Sequence, residues 1–386
     1  MTYRFETEYD ANGSGRIPID TDYLEAQVPE LAASGRHREH YLRRGLQDDL
    51  NPTKFFSTDW YAWQNPDWQQ EFRSPYLHYL EVGRREGRDP SPFVDMTRFH
   101  EATGRVLPRE KSYHAILAGL RAPVLGIYES EADLLACQDR FIKGIAIFAH
   151  RMTPKRHPSR ALVICQAGQS GLPFAWATDP SRDWDLLMNY YDAKGMRPWL
   201  GDYVVFQKGT KFTAMKLLTD RFQSILGLYE HVLFIDDDVS TTVGDLNALF
   251  AACRCHSLDL AQMALSPGSS CNWPHLFARP DRKGPREVSA VEIMMPVLSR
   301  RALAWIAPTL GKSVSGFGLD LIWGRLVSGN GGKIAVLDDI SATHARPVDQ
   351  ADGAFYRYLR QHGINAKAEL WMLLKRYGAH RDLVTT

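Results

Sequence analysis

HVLFIDDDV, residues 231–239, is the stretch on which the reading of this 386-residue chain turns. An apolar run of that length reads as a buried strand, and here it leads straight into Asp236, Asp237 and Asp238. Carboxylates packed that closely repel and raise one another's pKa until a cation arrives. Oxygen ligands suit Mg2+ or Mn2+. Extended-chain geometry puts Asp236 and Asp238 on one side and turns Asp237 away. On either side lie further apolar runs: GIAIFAH (144–150), ALVICQA (161–167), WDLLMNYY (184–191), YVVFQ (203–207) and AQMALS (261–266). The helical stretches FTAMKLLTDRFQSIL and VGDLNALFAACRCH separate them. This alternation predicts an α/β domain with a largely parallel sheet. Ligands of such sheets sit at the carboxyl ends of strands, where the aspartates lie.

Composition sets the outer bounds. Hydrophobic residues make up 44% and charged residues 24%, as in a chain with a substantial core. The 46 Lys and Arg nearly cancel the 45 Asp and Glu, so no global field attracts nucleic acid. The basic run RHREHYLRR (36–44) reads as a solvated helix face. Five cysteines without paired CxxC spacing suggest neither a disulfide framework nor a zinc site. The polar start MTYRFETEYD and the lack of a long apolar run favour a cytoplasmic protein, with peripheral attachment to the inner face of a membrane left open.

Residues 1–19, with DANGSGR at 10–16, read as a flexible lead-in. A repeat follows. Thr21-Asp22-Tyr23 returns as Thr58-Asp59-Trp60, His40-Tyr41-Leu42 as His78-Tyr79-Leu80, Gly45 as Gly83, and Asn51-Pro52 as Asp89-Pro90. Each unit holds two short helical patterns, a glycine cap and an X-Pro turn. Such a unit cannot bury its apolar face alone, so residues 20–105 are expected to pack as one helical repeat module. The second unit resembles a module found beside bacterial polysaccharide glycosyltransferases, through its D-x-x-Y/W…NPD…HYL…G…EGR-x-P-x-P-x-F pattern. Trp60, Trp63 and Trp68 stand at core spacing, with stacking on sugar rings as the alternative. A connecting segment (106–140), the α/β domain (141–348) and C-terminal helices (349–386) complete the expected order, the helices closing the α/β domain.

VLFIDDDV resembles the hhhhDxD motif of GT-A glycosyltransferases. Three further stretches extend the likeness: LVICQAG…RDWDLLMNYYD; QKGTKFTAMKLL; and VSAVEIMMPVLSRRAL…GFGLDLIWGRL…VLDDISATHARP. They follow the order of the family labelled "lysine-ketoglutarate reductase trans-splicing related", whose sequences look like GT-A enzymes. The similarity covers roughly residues 158 to 348. It implies a Rossmann-type nucleotide-sugar-binding domain, with Gln166 and Gly168 near the base or ribose. Lys208 and Lys211 would reach the donor's phosphates, and Asp236 and Asp237 would contact the donor. Asp236, Asp238 and His344 would hold Mn2+ or Mg2+, and Asp320 would act as the general base of an inverting enzyme. Each has an ordinary alternative: solvated loop lysines, a loop histidine, and a helix cap for Asp320. Gly316 and Gly318 fit a tight loop, Trp323 fits the core, and Glu292, Asp338 and Asp339 are further carboxylates.

The expected activity is metal-dependent transfer from a nucleoside-diphosphate sugar to a saccharide or glycan acceptor, in bacterial surface polysaccharide assembly. The repeat module would supply a membrane or assembly partner. Two alternatives remain. A haloacid-dehalogenase-type phosphatase would use Asp236, Asp238 and Ser240 with the acidic pair Asp338-Asp339, although its motif ordinarily begins the fold. A carbohydrate-binding or scaffold protein would carry the same acidic loop without catalysis.

Overall fold

The computed structural model describes residues 5–6, 17–169, 172–271, 273–344 and 353–379. The chain forms two compact units: Gln138–Tyr358, and Met1–Cys137 together with Leu359–Thr386.

The first unit is built on a ten-stranded sheet. Its strands are β1 (Ile147–Arg151), β2 (Ala161–Ala167), β3 (Asp185–Tyr190), β4 (Tyr203–Gln207) and β5 (His231–Asp236). They continue with β6 (Val239–Ser240), β7 (Leu260–Leu265), β8 (Pro285–Glu287), β9 (Val297–Ser299) and β10 (Ile334–His344). The spatial order is β8-β10-β7-β9-β5-β2-β3-β4-β1, with β6 pairing β10. Strands β2, β3, β4, β5, β7 and β10 all run one way, while β1, β8 and β9 run against them. The sheet is therefore a mixed α/β sheet, mostly parallel at its centre.

Its core follows from the sequence pattern. Val232 to Ile235 are at most 1% exposed, between β2 on one side and β9 on the other. Each such side chain contributes roughly 1.5–3 kcal/mol of burial. The helix Val243–His256 buries Val243, Leu246, Leu249, Phe250 and Cys253, a three-and-four spacing that gives one apolar stripe. The chain order leaves β2 toward β3 and β4, then returns to the other flank of β2 as β5. That reversal creates a crevice at the carboxyl ends of β2 and β5, the place where open α/β sheets take ligands.

The second unit is helical, and it contains three turns of the repeat where the sequence displays two. Each turn closes on itself through one backbone bond. Asp20 N–H donates to Pro52 O (2.9 Å), Ser57 N–H to Pro90 O (3.1 Å) and Asp95 N–H to Gly126 O (2.9 Å). Asp20 and Asp95 also cap their helices, accepting from the amides of Tyr23 and Arg98. Successive turns are linked by Asn51 accepting from Thr58 N–H and Asp89 from Met96 N–H, both at 2.8 Å. Trp60 and Trp68 are buried, and Trp63 stacks on Trp371 at 6.2 Å.

Two expected boundaries change. The module runs on past 105 to Cys137, because Tyr113, Ile116 and Ile127 lie in its core. The C-terminal helix Ala366–Arg376 belongs to this unit instead of closing the α/β domain, since Trp371 packs in the same core. Asn365 Nδ2 donates to Pro92 O and Lys367 pairs with Asp89. Much of the expected lead-in lies outside the described residues, but Ile17 and Ile19 are buried in the module. Among the described residues no disulfide joins any of the five cysteines. Among the described residues no helix is long and apolar enough to cross a membrane.

Candidate functional site

Strand β5 delivers its aspartates to the crevice in three directions. Asp236 lies level with Gln166 of β2, in parallel register. Its Oδ1 is 3.0 Å from Lys211 Nζ. Burial lifts the Asp236 carboxyl to about 6, against the pull of Lys211 and with a further push from Asp238. Asp237, only 6% exposed, points the other way: its Oδ2 accepts from Gly168 N–H at 2.9 Å and from Tyr191 O–H at 3.0 Å. Asp238 faces His344, whose Nε2 lies 3.6 Å from its Oδ2.

His344 arrives there through pairing. The short strand β6 follows the aspartates directly, and Val239 pairs antiparallel with His344 at the end of β10. The ring's Nδ1 bonds to Ser270 O at 2.8 Å, which points Nε2 at Asp238. The Asp238 hydrogen bond raises the His344 pKa while burial works against it. The remainder of the SATHARP stretch, Ala345 to Pro347, lies outside the described residues.

Lys211 is fully engaged within the protein. Besides Asp236, its Nζ donates to Ile293 O at 2.5 Å and Met294 O at 2.8 Å. It opens the helix Lys211–Arg221, capped by Thr210 with a reciprocal Thr213 bond. This placement makes it the internal counter-charge of Asp236. Lys208 stays exposed before that helix, with its carbonyl taking a bond from Tyr358 O–H at 3.3 Å.

The other wall is made from β2 and β3. Gly168 is required by space: a Cβ there would fall 2.3 Å from the Tyr191 oxygen. A Cβ on Gly195 would meet Gly168 O at 2.2 Å. These contacts bring Tyr191, 38% exposed, over the crevice. Asp192 follows, accepting from Gln169 Nε2 at 2.6 Å and Lys194 N–H at 2.9 Å, bonds that hold its pKa low. Gln166 is buried and accepts from Asn189 Nδ2 at 2.5 Å, while Gln166 Nε2 and Asn189 Oδ1 find no partner among the described residues. Buried polar atoms left that way ordinarily await water or a ligand. Tyr191, Asp192 and Asn189 were not singled out by the sequence reading. Their signal is the polar run NYYD at the carboxyl end of an apolar strand.

Asp320 enters from the loop Ser313–Gly318. Thr210 Oγ1 donates to Val314 O at 2.6 Å, fastening that loop to the start of the Lys211 helix. Gly316 is obligatory, with φ +88° and a would-be Cβ 1.9 Å from the Phe212 ring. Gly318 holds the N-cap position of the helix Leu319–Gly329, so Asp320 is not the cap. Its carboxylate accepts from Leu321 N–H at 2.9 Å. Burial and then the charge of Glu292 push it up to about 7, partly offset by those backbone amides. Glu292, itself raised by burial, feels the opposing charges of Lys211 and His344. One electrostatic chain thus runs from Asp236 and Asp238 through Lys211, His344 and Glu292 to Asp320. Trp323 is core, its indole N–H on Thr309 Oγ1 at 2.9 Å.

Asp338 and Asp339 do other work. Asp338 forms a bidentate pair with Arg286 (2.8 and 3.0 Å), and Asp339 accepts from Gly284 N–H. Among the described residues no ready-made group of three or more His, Cys, Asp or Glu stands poised around one ion. The reason is visible: Asp236 is turned to Lys211, leaving Asp238 and His344 as a pair.

No family model matches the chain, and no curated protein matches it, so the family likeness of the quoted stretches rests on those residues alone. Among solved structures, the chain is similar to residues 1–349 of S. aureus TarS, at 14% identity and TM-score 0.36. The match covers 47% of this chain and 59% of that one, so the chain spans about three fifths of its length. The same S. aureus protein in complex with UDP-GlcNAc gives 14% identity, TM-score 0.35, and 57% and 72% coverage. A197 from STIV is similar at 14% identity and TM-score 0.28, over 47% of this chain and 84% of that one.

Proposed function

We propose that the α/β unit is a glycosyltransferase that uses a nucleoside-diphosphate sugar and a divalent cation, inverting the transferred sugar carbon. The observation that carries this reading is the pairing of Asp238 with His344 beside Asp236 where the strand order reverses, with Glu292 linking them electrostatically to Asp320. The donor set suits Mn2+ or Mg2+: carboxylate oxygens of Asp236 and Asp238, and an imidazole already oriented by Ser270. Such ions are commonly held by one or two carboxylates and completed by substrate phosphates, which agrees with a pair instead of a closed cage. When bound, the ion would neutralise charge on the departing diphosphate.

The chain's own residues divide the remaining tasks. The Gly168–Tyr191–Asp192 wall offers a close backbone approach, a flat ring and a hydrogen-bond acceptor to a nucleoside. Asp237, through Gly168 and Tyr191, keeps that wall in place. Asp320, with its pKa near neutrality, takes the proton of the acceptor hydroxyl as that oxygen bonds to the sugar carbon. The bond from that carbon to the diphosphate breaks, and the diphosphate leaves with the electron pair. Asp338 and Asp339, the acidic pair that a haloacid-dehalogenase-type phosphatase would need, are committed to Arg286 and Gly284.

Asp320→Asn tests the assignment. Donor cleavage should fall at least roughly a hundredfold, the lower end for loss of a general base, with nucleotide-sugar and Mn2+ affinities unchanged. The wild-type rate should rise with pH through about 7 as Asp320 ionises, and the variant should lack that limb. An unaltered rate in the variant would remove Asp320 from the mechanism.

A further inference from the structure

The α/β unit has a second cleft, of about 340 Å3, lined by His275, Arg279, Arg282, Arg286 and Ser289 among others. We propose that it binds an anionic group, a phosphate or a carboxylate, carried by the acceptor of the transfer. That the anion belongs to the acceptor rests on the glycosyltransferase reading, whereas the anion site itself does not.

The cleft is a built feature. Its floor is Arg286, 7% exposed, whose charge is met by Asp338 and whose other donors reach His275 O and Phe277 O. Above it the segment Arg279–Gly284 is tied down by its backbone. Arg279 N–H donates to Asp338 at 3.2 Å, Arg282 N–H to Arg279 O at 3.0 Å, and Gly284 N–H to Asp339. Asp338 and Asp339 therefore serve to hold a turn that presents the guanidinium groups of Arg279 and Arg282. Among the described residues neither guanidinium lies within ion-pair distance of a carboxylate. Glu287 is the carboxylate on the lining, while Asp338 is committed to Arg286 and Asp339 accepts from the Gly284 amide. Two guanidinium groups on a fixed turn match the planar, multi-oxygen geometry of phosphate or carboxylate.

The second observation is His275. It stands on the lining of the cleft, and its Nε2 is buried without a partner among the described residues. An orphan of that kind is filled by water or a ligand. The cleft is also close along the chain to the proposed reaction site. Ser289 lies on its lining, and three residues further on stands Glu292, beside Asp320. Three residues span at most about 11 Å, the length of one or two sugar rings. A saccharide whose hydroxyl meets Asp320 can thus place an anionic substituent among these arginines.

The test uses the full chain and the double variant Arg279→Ala/Arg282→Ala, whose changed side chains are exposed. Calorimetric titrations would use inorganic phosphate, glucose 6-phosphate, glucuronate, neutral glucose and a nucleoside-diphosphate sugar. The anions are expected to bind the wild type with salt-sensitive affinity, and at least about tenfold more weakly to the variant. Neutral glucose should bind neither, and donor affinity should be equal in both. Preference for glucose 6-phosphate assigns the anion as phosphate, and preference for glucuronate as carboxylate. Anion binding unaffected by the double substitution, or no stronger than that of glucose, overturns the site. If anions bind as expected while no nucleotide sugar binds the wild type, the site stands and its assignment to a glycosyl acceptor falls.

Discussion

Replacing Lys211 by Met removes one ammonium and keeps most of the stem, so the cost can be worked from its contacts. Ile293 O loses its Lys211 donor, and Met294 O loses one of two donors and keeps the Asp236 N–H at 3.0 Å, together about 1–2 kcal/mol. The ion pair with Asp236 goes as well; that carboxylate's side chain is 32% exposed, and water screens it, so the pair adds at most about 1 kcal/mol. The expected loss is about 2–3 kcal/mol at pH 8. It should shrink at low pH. Burial holds the folded Asp236 pKa at about 6, above its ordinary value, so stability already falls as pH rises toward 6. Without the ammonium that pKa climbs further, and the loss continues to higher pH. At pH 5 Asp236 is mostly protonated in both proteins and the carbonyl contribution alone remains, about 1–2 kcal/mol. Urea unfolding of both proteins at pH 5 and pH 8 reads this directly. A difference below about 0.5 kcal/mol at pH 8, or one independent of pH, would refute the view that Lys211 is the internal counter-charge of Asp236.

Gly316→Ala should be severe, because the left-handed backbone costs about 1–2 kcal/mol and the contact with Phe212 about 1–3 kcal/mol more. Gly268→Ala, at φ +90° with nothing within 4 Å, should show the backbone cost alone, so equal denaturation midpoints for the two would contradict the packing argument. Trp371→Ala opens the helical unit's core where Trp63 stacks and should cost that unit about 3–5 kcal/mol by chemical denaturation; a change under about 1 kcal/mol would place the C-terminal helix outside that core.

The sheet was legible because its strands are buried on both faces. ALVICQA and HVLFI are continuous apolar runs, and they became β2 and β5 with ends where the polar residues begin. Alternation predicted the central parallel strands. The antiparallel course of β9 was not visible, since three residues of strand carry no sign of direction. The third repeat was hidden for a different reason: it keeps the cap Asp95 and the Ala122-Pro123 turn but lacks the His-Tyr-Leu landmark. Its equivalence lies in a backbone bond, Asp95 to Gly126, that no side chain reports. At the site, the aspartates announced themselves through an adverse local charge density. The partnership of Lys211 with Asp236 and the approach of Glu292 to Asp320 depend on contacts between residues far apart in sequence. Carboxylates such as Glu292 and Asp338 look alike in sequence; one lies beside Asp320 and the other is buried under Arg286.

The central claim is that the Asp236–Asp238 crevice holds a nucleoside-diphosphate sugar together with a divalent cation. It is tested most directly by titrating nucleoside-diphosphate sugars into the full chain with and without Mn2+, in the wild type and in Asp238→Asn. The account predicts donor binding that needs Mn2+, slow release of the nucleoside diphosphate by hydrolysis, and loss of both in a variant that keeps its fold. Donor binding indifferent to Mn2+ and to the substitution, or release of phosphate from a monoester with no cleavage of any nucleotide sugar, would contradict it.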